Sequence, residues 1–148
     1  MNYLSAAELL AIHELLINDF GGMRGITETG FGRLEGAVAA PQLSAFGEDL
    51  FPDVPSKAAA LCAAIVHAHP FSDGNKRVGL VALDVLLTRN GYTLTATNDE
   101  AYDAIITLAQ RGLDRDAFIA WVRQHIQVGS DGAAPGPADT GYGLPASG

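Results

Sequence analysis

A run of nine apolar residues, Ala58 to Val66, constrains the fold of this chain more than any other segment. The run has no polar face, and a helix that is apolar all round is buried on every side. It is too short to cross a membrane, which takes about 20 apolar residues in a helix. The run therefore predicts a central helix packed inside a core, and we expect no membrane segment.

Composition narrows the class of protein further. The chain has 148 residues, of which 48% are hydrophobic and 18% charged, and this balance indicates one domain with a sizeable core. A net charge of -8 provides no broad positive field, so we expect no direct nucleic-acid binding. Cys62 is the single cysteine, and the start MNYLSAAELL has no basic region before its apolar residues. The single cysteine favours a reducing, cytoplasmic compartment, and the start of the chain favours the absence of a membrane anchor.

Residues 129–148 differ in composition from the rest of the chain. They are rich in Gly, Pro and Ala and nearly devoid of large apolar side chains. Such a segment buries too little surface to offset its chain entropy. We therefore interpret residues 129–148 as a disordered tail and place the folded domain in residues 1–128.

Helical periodicity and capping signals predict six helices in that domain and an all-α fold. No two alternating runs are joined by an Asn-Gly or Asp-Gly hairpin turn. The first helix is expected to start at Ser5. The next three are expected to run over about Glu28 to Ala40, Ser56 to Ala68 and Asn75 to Asn90. The last two are expected to start near Thr97 and Asp114. Three prolines between Pro41 and Pro55 indicate a long loop, a type of segment that is often functional.

A polar segment, HPFSDGNKR from His69 to Arg77, separates the two most apolar parts of the chain. Pro70 ends the incoming helix, and the residues after Asp73 open the next one. Backbone N–H groups at a helix N-terminus bind anions, and the basic side chains here add positive charge. The segment therefore predicts a phosphate cradle, formed by Gly74, Asn75, Lys76 and Arg77.

Asp73 and His69 are the candidates for metal and proton chemistry. Mg²⁺ usually takes one or two carboxylates and completes its shell with phosphate and water, so Asp73 is the candidate metal ligand. His69 has the one side chain in the segment that exchanges a proton near neutral pH, and it is the candidate general base. Each also has a structural reading, Asp73 as a helix cap and His69 as a core histidine. Because both residues lie beside the predicted phosphate cradle, the metal-binding and proton-transfer roles are favoured over the structural ones.

The motif H-x-F-x-D-G-N-K-R resembles the signature of the Fic/Doc superfamily, in particular its Doc (death-on-curing) branch. The similarity extends over about residues 1–127 and includes the stretch LDVLLTRNGYTL after the motif. The resemblance implies a six-helix bundle with the motif loop between two central helices. It also implies transfer of a phosphate-containing group from a nucleotide to a protein hydroxyl.

The resemblance also implies a role for each motif residue. His69 matches the catalytic base and Asp73 the Mg²⁺ ligand, while Lys76 adds positive charge at the transition state. The loop 41–55 matches the flap, which holds the target's backbone. The other matches are Phe71, which fixes the loop in the core, Gly74, Asn75 and Lys76 in the anion hole, and Arg77 on a phosphate.

Several positions depart from the patterns of that superfamily. AMP-transferring members have a second glycine where this chain has Lys76, and a second arginine where it has Leu80. ATP bound with its γ-phosphate beside His69 loses nothing by these changes and gains the lysine charge. His67 stands where the Doc branch commonly has a basic residue, which affects a phosphate contact. The inhibitory pattern S/T-x-x-x-E-G/N is absent from the sequence, which favours inhibition by a separate antitoxin.

The leading interpretation is the toxin of a toxin–antitoxin module that transfers the γ-phosphoryl group of ATP, with Mg²⁺, to a Ser or Thr hydroxyl. By resemblance, the target is elongation factor Tu, translation is arrested, and the partner is a Phd-like antitoxin encoded nearby. The alternatives are AMP transfer to a protein hydroxyl and a catalytically silent module that binds its antitoxin. A zinc site at His67, His69 and Asp73 is disfavoured, because residues two apart on a helix do not share a face.

Overall fold

The computed structural model describes residues 1–129, which form six helices and two short strand pairs. The helices are α1 (Ala6–Phe20), α2 (Gly30–Ala39), α3 (Val54–Ala68), α4 (Asn75–Arg89), α5 (Asn98–Ala109) and α6 (Arg115–Gln124). The strands are β1 (Ser44–Ala45), β2 (Glu48–Asp49), β3 (Tyr92–Leu94) and β4 (Ile126–Val128). Apart from Gly129, the predicted tail lies outside the described residues.

Helix α3 forms the centre of the bundle, as the apolar run predicts. All residues from Ala58 to Val66 are buried except Ala64, which is half-buried. The helix packs against α2, α4, α5 and α6, with the motif loop between α3 and α4. The predicted all-α class and the position of the loop between two central helices are therefore confirmed. None of the helices in residues 1–129 combines the length and the apolar character needed to cross a membrane.

The capping signals at the predicted starts of α1 and α5 both form reciprocal capping boxes. The Ser5 side chain accepts the Glu8 N–H and the Glu8 carboxylate accepts the Ser5 N–H. Thr97 and Glu100 make the same reciprocal pair at the start of α5. These caps provide acceptors for N–H groups that have none within the helix. Because specific residue types do this at fixed spacing, both helix starts can be predicted from the sequence.

Two other helices begin or end slightly away from their predicted limits. α3 begins before Ser56, because Asp53 is its cap and accepts the Ser56 N–H at 2.9 Å. α2 covers Gly30–Ala39, and a 3-10 turn continues through Pro41. A 3-10 turn accommodates the proline at this point, so the chain stays helical to Gln42, two residues further than expected.

The two strand pairs are absent from the sequence prediction. β1 pairs with β2 inside the segment 41–55, which was predicted to be a loop. The intervening residues Phe46 and Gly47 have φ of 53° and 80°, the backbone of a tight two-residue hairpin. β3, between α4 and α5, pairs with β4, which follows α6. Strands of two or three residues are too short to show alternation in a sequence.

Helices α3 and α4 approach each other closely at Gly79. A Cβ atom there would lie 2.9 Å from Val66 Cγ2 and 3.3 Å from Cys62 Sγ. We expect Gly79→Ala to lower the free energy of unfolding by ~1–2 kcal/mol, because overpacking outweighs the gain in helix propensity. The matched control is Gly36→Ala in α2, where a Cβ meets nothing within 4 Å and a gain of about 0.5–1 kcal/mol is expected. Urea denaturation measures both changes, and stabilisation by Gly79→Ala would contradict the prediction.

Candidate active site

His69 directly follows α3 and turns the chain into the motif loop. Its backbone is left-handed, with φ of 56° and ψ of 55°, and its N–H donates to the Ile65 carbonyl at 3.0 Å. A left-handed residue after a helix ends the helix and redirects the chain. The side chain is exposed, so His69 is not a core histidine. Its imidazole is accessible to a substrate.

The segment between α1 and α2 runs along the motif loop and braces it. The Ser72 N–H donates to the Gly25 carbonyl at 3.1 Å, and the Thr27 N–H donates to the Pro70 carbonyl at 3.0 Å. At the start of α2, a Cβ on Gly30 would lie 2.2 Å from the Pro70 oxygen. The loop is thus fixed by backbone contacts that no side-chain pattern in the motif reveals.

Phe71 and Asn75 hold the loop against the core. Phe71 is fully buried and stacks on His13, with ring centroids 4.0 Å apart. The Asn75 side chain bonds both backbone groups of Phe71: its Oδ1 accepts the N–H at 3.0 Å and its Nδ2 donates to the carbonyl at 2.9 Å. Asn75 was predicted to act through its backbone in the phosphate cradle. Its side chain has this further, structural role.

His13, on α1, supports the site from outside the motif. It is buried, and its Nε2 donates to the carbonyl oxygen of Asp73 at 2.9 Å. The ring therefore supports the motif loop at two points, through Phe71 and through Asp73. The available signal was weak: His13 falls on the buried face of α1 with Leu9 and Leu16.

Asp73 presents an exposed carboxylate whose two oxygens are both held by backbone groups. Oδ1 accepts the Gly74 N–H at 2.9 Å and Oδ2 accepts the Met23 N–H at 3.1 Å. The Gly74 N–H, which was expected to be free for an anion, is therefore engaged. The N–H groups of Asn75 and Lys76 in the first turn of α4 have no acceptor within the helix. They are the remaining backbone donors of the predicted cradle.

A cavity of about 400 Å³ brings the predicted site residues together. Helix α5 supplies a wall that the sequence analysis did not identify. The cavity is lined by Val66, His69, Asp73, Gly74, Asn75, Lys76, Arg77, Tyr102, Ile106, Ala109 and Gln110. Its size suits a small ligand, and its charged side chains are two cations and one carboxylate. Such a lining suits a phosphate group accompanied by a divalent cation.

Arg77 lies at the edge of this cavity between α1 and α5. Its guanidinium carbon is 4.5 Å from the Phe20 ring centroid and 5.9 Å from that of Tyr102. Stacking on aromatic rings orients the planar guanidinium group. Its contact with a phosphate stays a prediction. Leu80, one turn further along α4, is buried in the core.

His67 lies away from the site, although it is two residues from His69. Its Nε2 donates to the Leu108 carbonyl at 3.0 Å, and its ring lines a separate cavity of about 300 Å³. Residues 1–129 contain no cluster of three or more His, Cys, Asp or Glu side chains placed to hold a metal ion. The single carboxylate of Asp73 does fit Mg²⁺, which takes most of its ligands from phosphate and water.

The segment 41–55, which contains β1 and β2, is anchored far from His69 along α3. Lys57, at the start of α3, donates to the Pro41 carbonyl at 3.1 Å, whereas His69 follows the end of the same helix. A 15-residue helix spans about 22 Å. Apolar side chains at Leu43, Phe46 and Leu50 are exposed on this segment. Its role as a flap stays a prediction.

Comparison with known proteins identifies the family. The Fic/DOC family matches residues 3–87, a range that includes the whole motif loop and most of α4. The chain belongs to the Fic/DOC family. One relative, named Toxin Doc, from Mycolicibacterium smegmatis (strain ATCC 700084 / mc(2)155), is 37% identical over 103 residues, which cover 68% of this chain and 78% of the relative.

A second relative places the chain in the same branch of the Fic/DOC family. Protein kinase doc of Escherichia phage P1 is 32% identical over 96 residues, which cover 62% of this chain and 70% of the relative. Both relatives bear the Doc name, so the resemblance to the Doc branch is confirmed. The roles of individual site residues stay predictions that rest on the geometry described above.

Proposed function

We propose that this chain is the toxin of a toxin–antitoxin module and that it transfers the γ-phosphoryl group of ATP to a Ser or Thr hydroxyl of a target protein. The observation that carries the proposal is one cavity in which the exposed His69, the Asp73 carboxylate and the cations Lys76 and Arg77 converge. The names Toxin Doc and Protein kinase doc, borne by two relatives, support the same reading.

His69 is proposed to remove the proton from the acceptor hydroxyl. As the hydroxyl oxygen forms a bond to the γ-phosphorus, the bond between that phosphorus and the bridging oxygen breaks, and ADP leaves. The proton passes to a ring nitrogen of His69 and then to solvent. The exposed ring and the fixed backbone of His69 support this role, because a general base must reach its substrate in a defined direction.

Lys76 and the first turn of α4 are proposed to stabilise the charge that develops on the transferred group. The N–H groups of Asn75 and Lys76, together with the lysine ammonium group, act as prearranged donors at a helix N-terminus. Lys76 stands where AMP-transferring members have glycine, and the buried Leu80 offers no second guanidinium for a terminal phosphate. These two positions favour ATP bound with its γ-phosphate next to His69.

Asp73 is proposed to hold the Mg²⁺ that accompanies ATP. When bound, Mg²⁺ neutralises charge on the phosphate oxygens. Asp73 offers one exposed carboxylate that is already oriented by two backbone N–H groups. Helix α5 adds the side chains of Tyr102 and Ile106, which give the nucleotide an apolar surface.

The partners and the place of action follow from the family resemblance and belong to the same proposal. The acceptor is elongation factor Tu, modification of which arrests translation in the cytoplasm. The inhibitor is a Phd-like antitoxin encoded nearby, because the inhibitory pattern of self-inhibited Fic proteins is absent from the sequence. An amphipathic segment that fills a groove is the expected mode of inhibition.

The position of the label in ATP tests the proposed reaction. The chain is incubated with elongation factor Tu, Mg²⁺ and ATP labelled at either the α- or the γ-phosphorus, with His69→Ala as the blank. We expect transfer of label from the γ position only. Transfer from the α position would replace the proposal by AMP transfer. Binding of ATP with no transfer from either position would favour the silent, antitoxin-binding module.

A further inference from the structure

Residues Gly21 to Gly25, here called the glycine segment, lie against the carboxylate of Asp73. Gly21, Gly22 and Gly25 have φ of 81°, 117° and 93°, values that only glycine adopts readily. The path of the segment therefore depends on its glycines. No residue of this segment belongs to the motif, and the proposed reaction does not use it.

Gly22 approaches Asp73 so closely that no side chain fits between them. A Cβ atom on Gly22 would lie 2.7 Å from Asp73 Oδ2 and 3.3 Å from its Cγ. The next residue, Met23, donates its N–H to the same Oδ2 at 3.1 Å. Because Oδ1 is held by the Gly74 N–H, rotation of the carboxylate would break hydrogen bonds on both sides. The carboxylate has one fixed orientation.

Helix α1 anchors the glycine segment. Arg24 donates to Glu14 at 2.6 Å and to Asn18 at 2.5 Å, and both acceptors lie on the last turns of α1. The same helix carries His13, which donates to the Asp73 carbonyl at 2.9 Å. Helix α1 therefore constrains Asp73 twice, once through its backbone and once through its carboxylate.

We propose that the glycine segment is the positioning element for the Asp73 carboxylate and that Gly22 is the residue that makes this possible. The Met23 N–H binds one carboxylate oxygen of Asp73 and the Gly74 N–H binds the other. The lone pairs that these two hydrogen bonds leave unused would be available to a divalent cation bound with the nucleotide. Mg²⁺ requires nearly ideal octahedral geometry, so a small rotation of its protein ligand weakens binding. The inference rests on the proposed function, since it takes Asp73 as the metal ligand.

The decisive experiment compares two glycines that both have a positive φ, Gly22 in the glycine segment and Gly91 after α4. Gly22→Ala and Gly91→Ala both introduce a side chain at a positive φ, but the Cβ of Gly91 meets nothing within 4 Å. Mn²⁺ serves as the probe, and electron paramagnetic resonance measures its affinity in the presence of a non-hydrolysable ATP analogue. We expect Gly22→Ala to weaken Mn²⁺ binding about 10–100-fold, the usual effect of losing support behind a metal ligand. Gly91→Ala should stay within about twofold of the wild type once folding is verified by circular dichroism.

A second pair of variants tests the hydrogen bond from the Met23 N–H to the Asp73 carboxylate. Met23→Pro removes the N–H that Asp73 accepts, whereas Met23→Ala keeps it and shortens an exposed side chain. We expect weaker Mn²⁺ binding in the proline variant alone. Wild-type affinity in folded Gly22→Ala or Met23→Pro, or equal losses in Gly22→Ala and Gly91→Ala, would overturn the inference and leave the proposed reaction intact.

The outcomes for the wild-type chain separate this inference from the proposed function. If the wild type binds Mn²⁺ with the nucleotide, shows the expected difference between variants and yet transfers no γ label, phosphoryl transfer is wrong and the positioning role stands. If the wild type binds no Mn²⁺ under these conditions, Asp73 is not a metal ligand and both proposals fail.

Discussion

Replacing His69 by alanine is expected to lower transfer of the γ-phosphoryl label by ~10²–10⁴-fold, the range that general bases contribute. The variant should fold, because His69 is exposed and removal of its side chain leaves no cavity in the core. Initial rates with labelled ATP measure the effect, and thermal unfolding verifies the fold. Expression of the variant should also no longer arrest growth.

His67→Ala is the matched control for that prediction. His67 is also a histidine near the end of α3, but its ring is bonded to the Leu108 carbonyl and lines a different cavity. We expect transfer to remain within about threefold of the wild type, because no proton moves through this ring. Equal losses of transfer in the two variants, or a fully active His69→Ala variant, would show that His69 is not the base.

Asn75→Ala is expected to lower the free energy of unfolding by ~2–5 kcal/mol and to abolish most transfer. The Asn75 side chain satisfies both backbone groups of the fully buried Phe71. Each buried group left without a partner costs ~1–3 kcal/mol, and water has little access to this position. The motif loop then loses the hydrogen bonds between Asn75 and Phe71 that fix its conformation, so His69 and Asp73 lose their positions as well. Urea denaturation and initial rates measure the two effects.

Asn98→Ala provides the comparison for Asn75→Ala. Asn98 also occupies the first position of a helix, at the start of α5, and its side chain makes no hydrogen bond within the described residues. We expect a change in the free energy of unfolding below about 0.5 kcal/mol. A destabilisation as large as that of Asn75→Ala would mean that helix-start effects, not the bonds to Phe71, explain the result.

The helices and the residues of the motif could be predicted because their determinants are local in the sequence. Ser5 and Thr97 cap their helices through residues three positions away, and the apolar run in α3 requires burial whatever surrounds it. The motif is contiguous from His69 to Arg77, so its spacing alone indicated one site. The structure brings the predicted site residues of the motif, His69 and Asp73 to Arg77, into one cavity.

The supports of the site could not be predicted because they are distant in the sequence. His13 lies 60 residues from Asp73 and Met23 lies 50 residues from it. Their contacts depend on how α1 packs in the finished bundle, and a backbone donor such as the Met23 N–H leaves no residue-type signal. The wall from α5, including Tyr102, is a product of tertiary packing for the same reason.

The short hairpin of β1 and β2 was missed for a different reason. Its strands have two residues each, and Phe46-Gly47 is not among the dipeptides that mark such turns. A positive φ at a phenylalanine is energetically unfavourable, and no residue pattern around Phe46 predicts it. The segment therefore looked like a loop, and its prolines reinforced that interpretation.

The dependence of Asp73 on α1 has a consequence for the newly synthesised chain. Contacts that close loops of 50 and 60 residues form only after both partners are available, and the N-terminal partner leaves the ribosome first. Helix α1 and the glycine segment cannot contact the motif loop until that loop has been synthesised. The cavity is complete only after Gln110 has been synthesised as well. A nascent chain that stops short of residue 110 contains His69 and Asp73 but lacks part of the wall that completes their cavity.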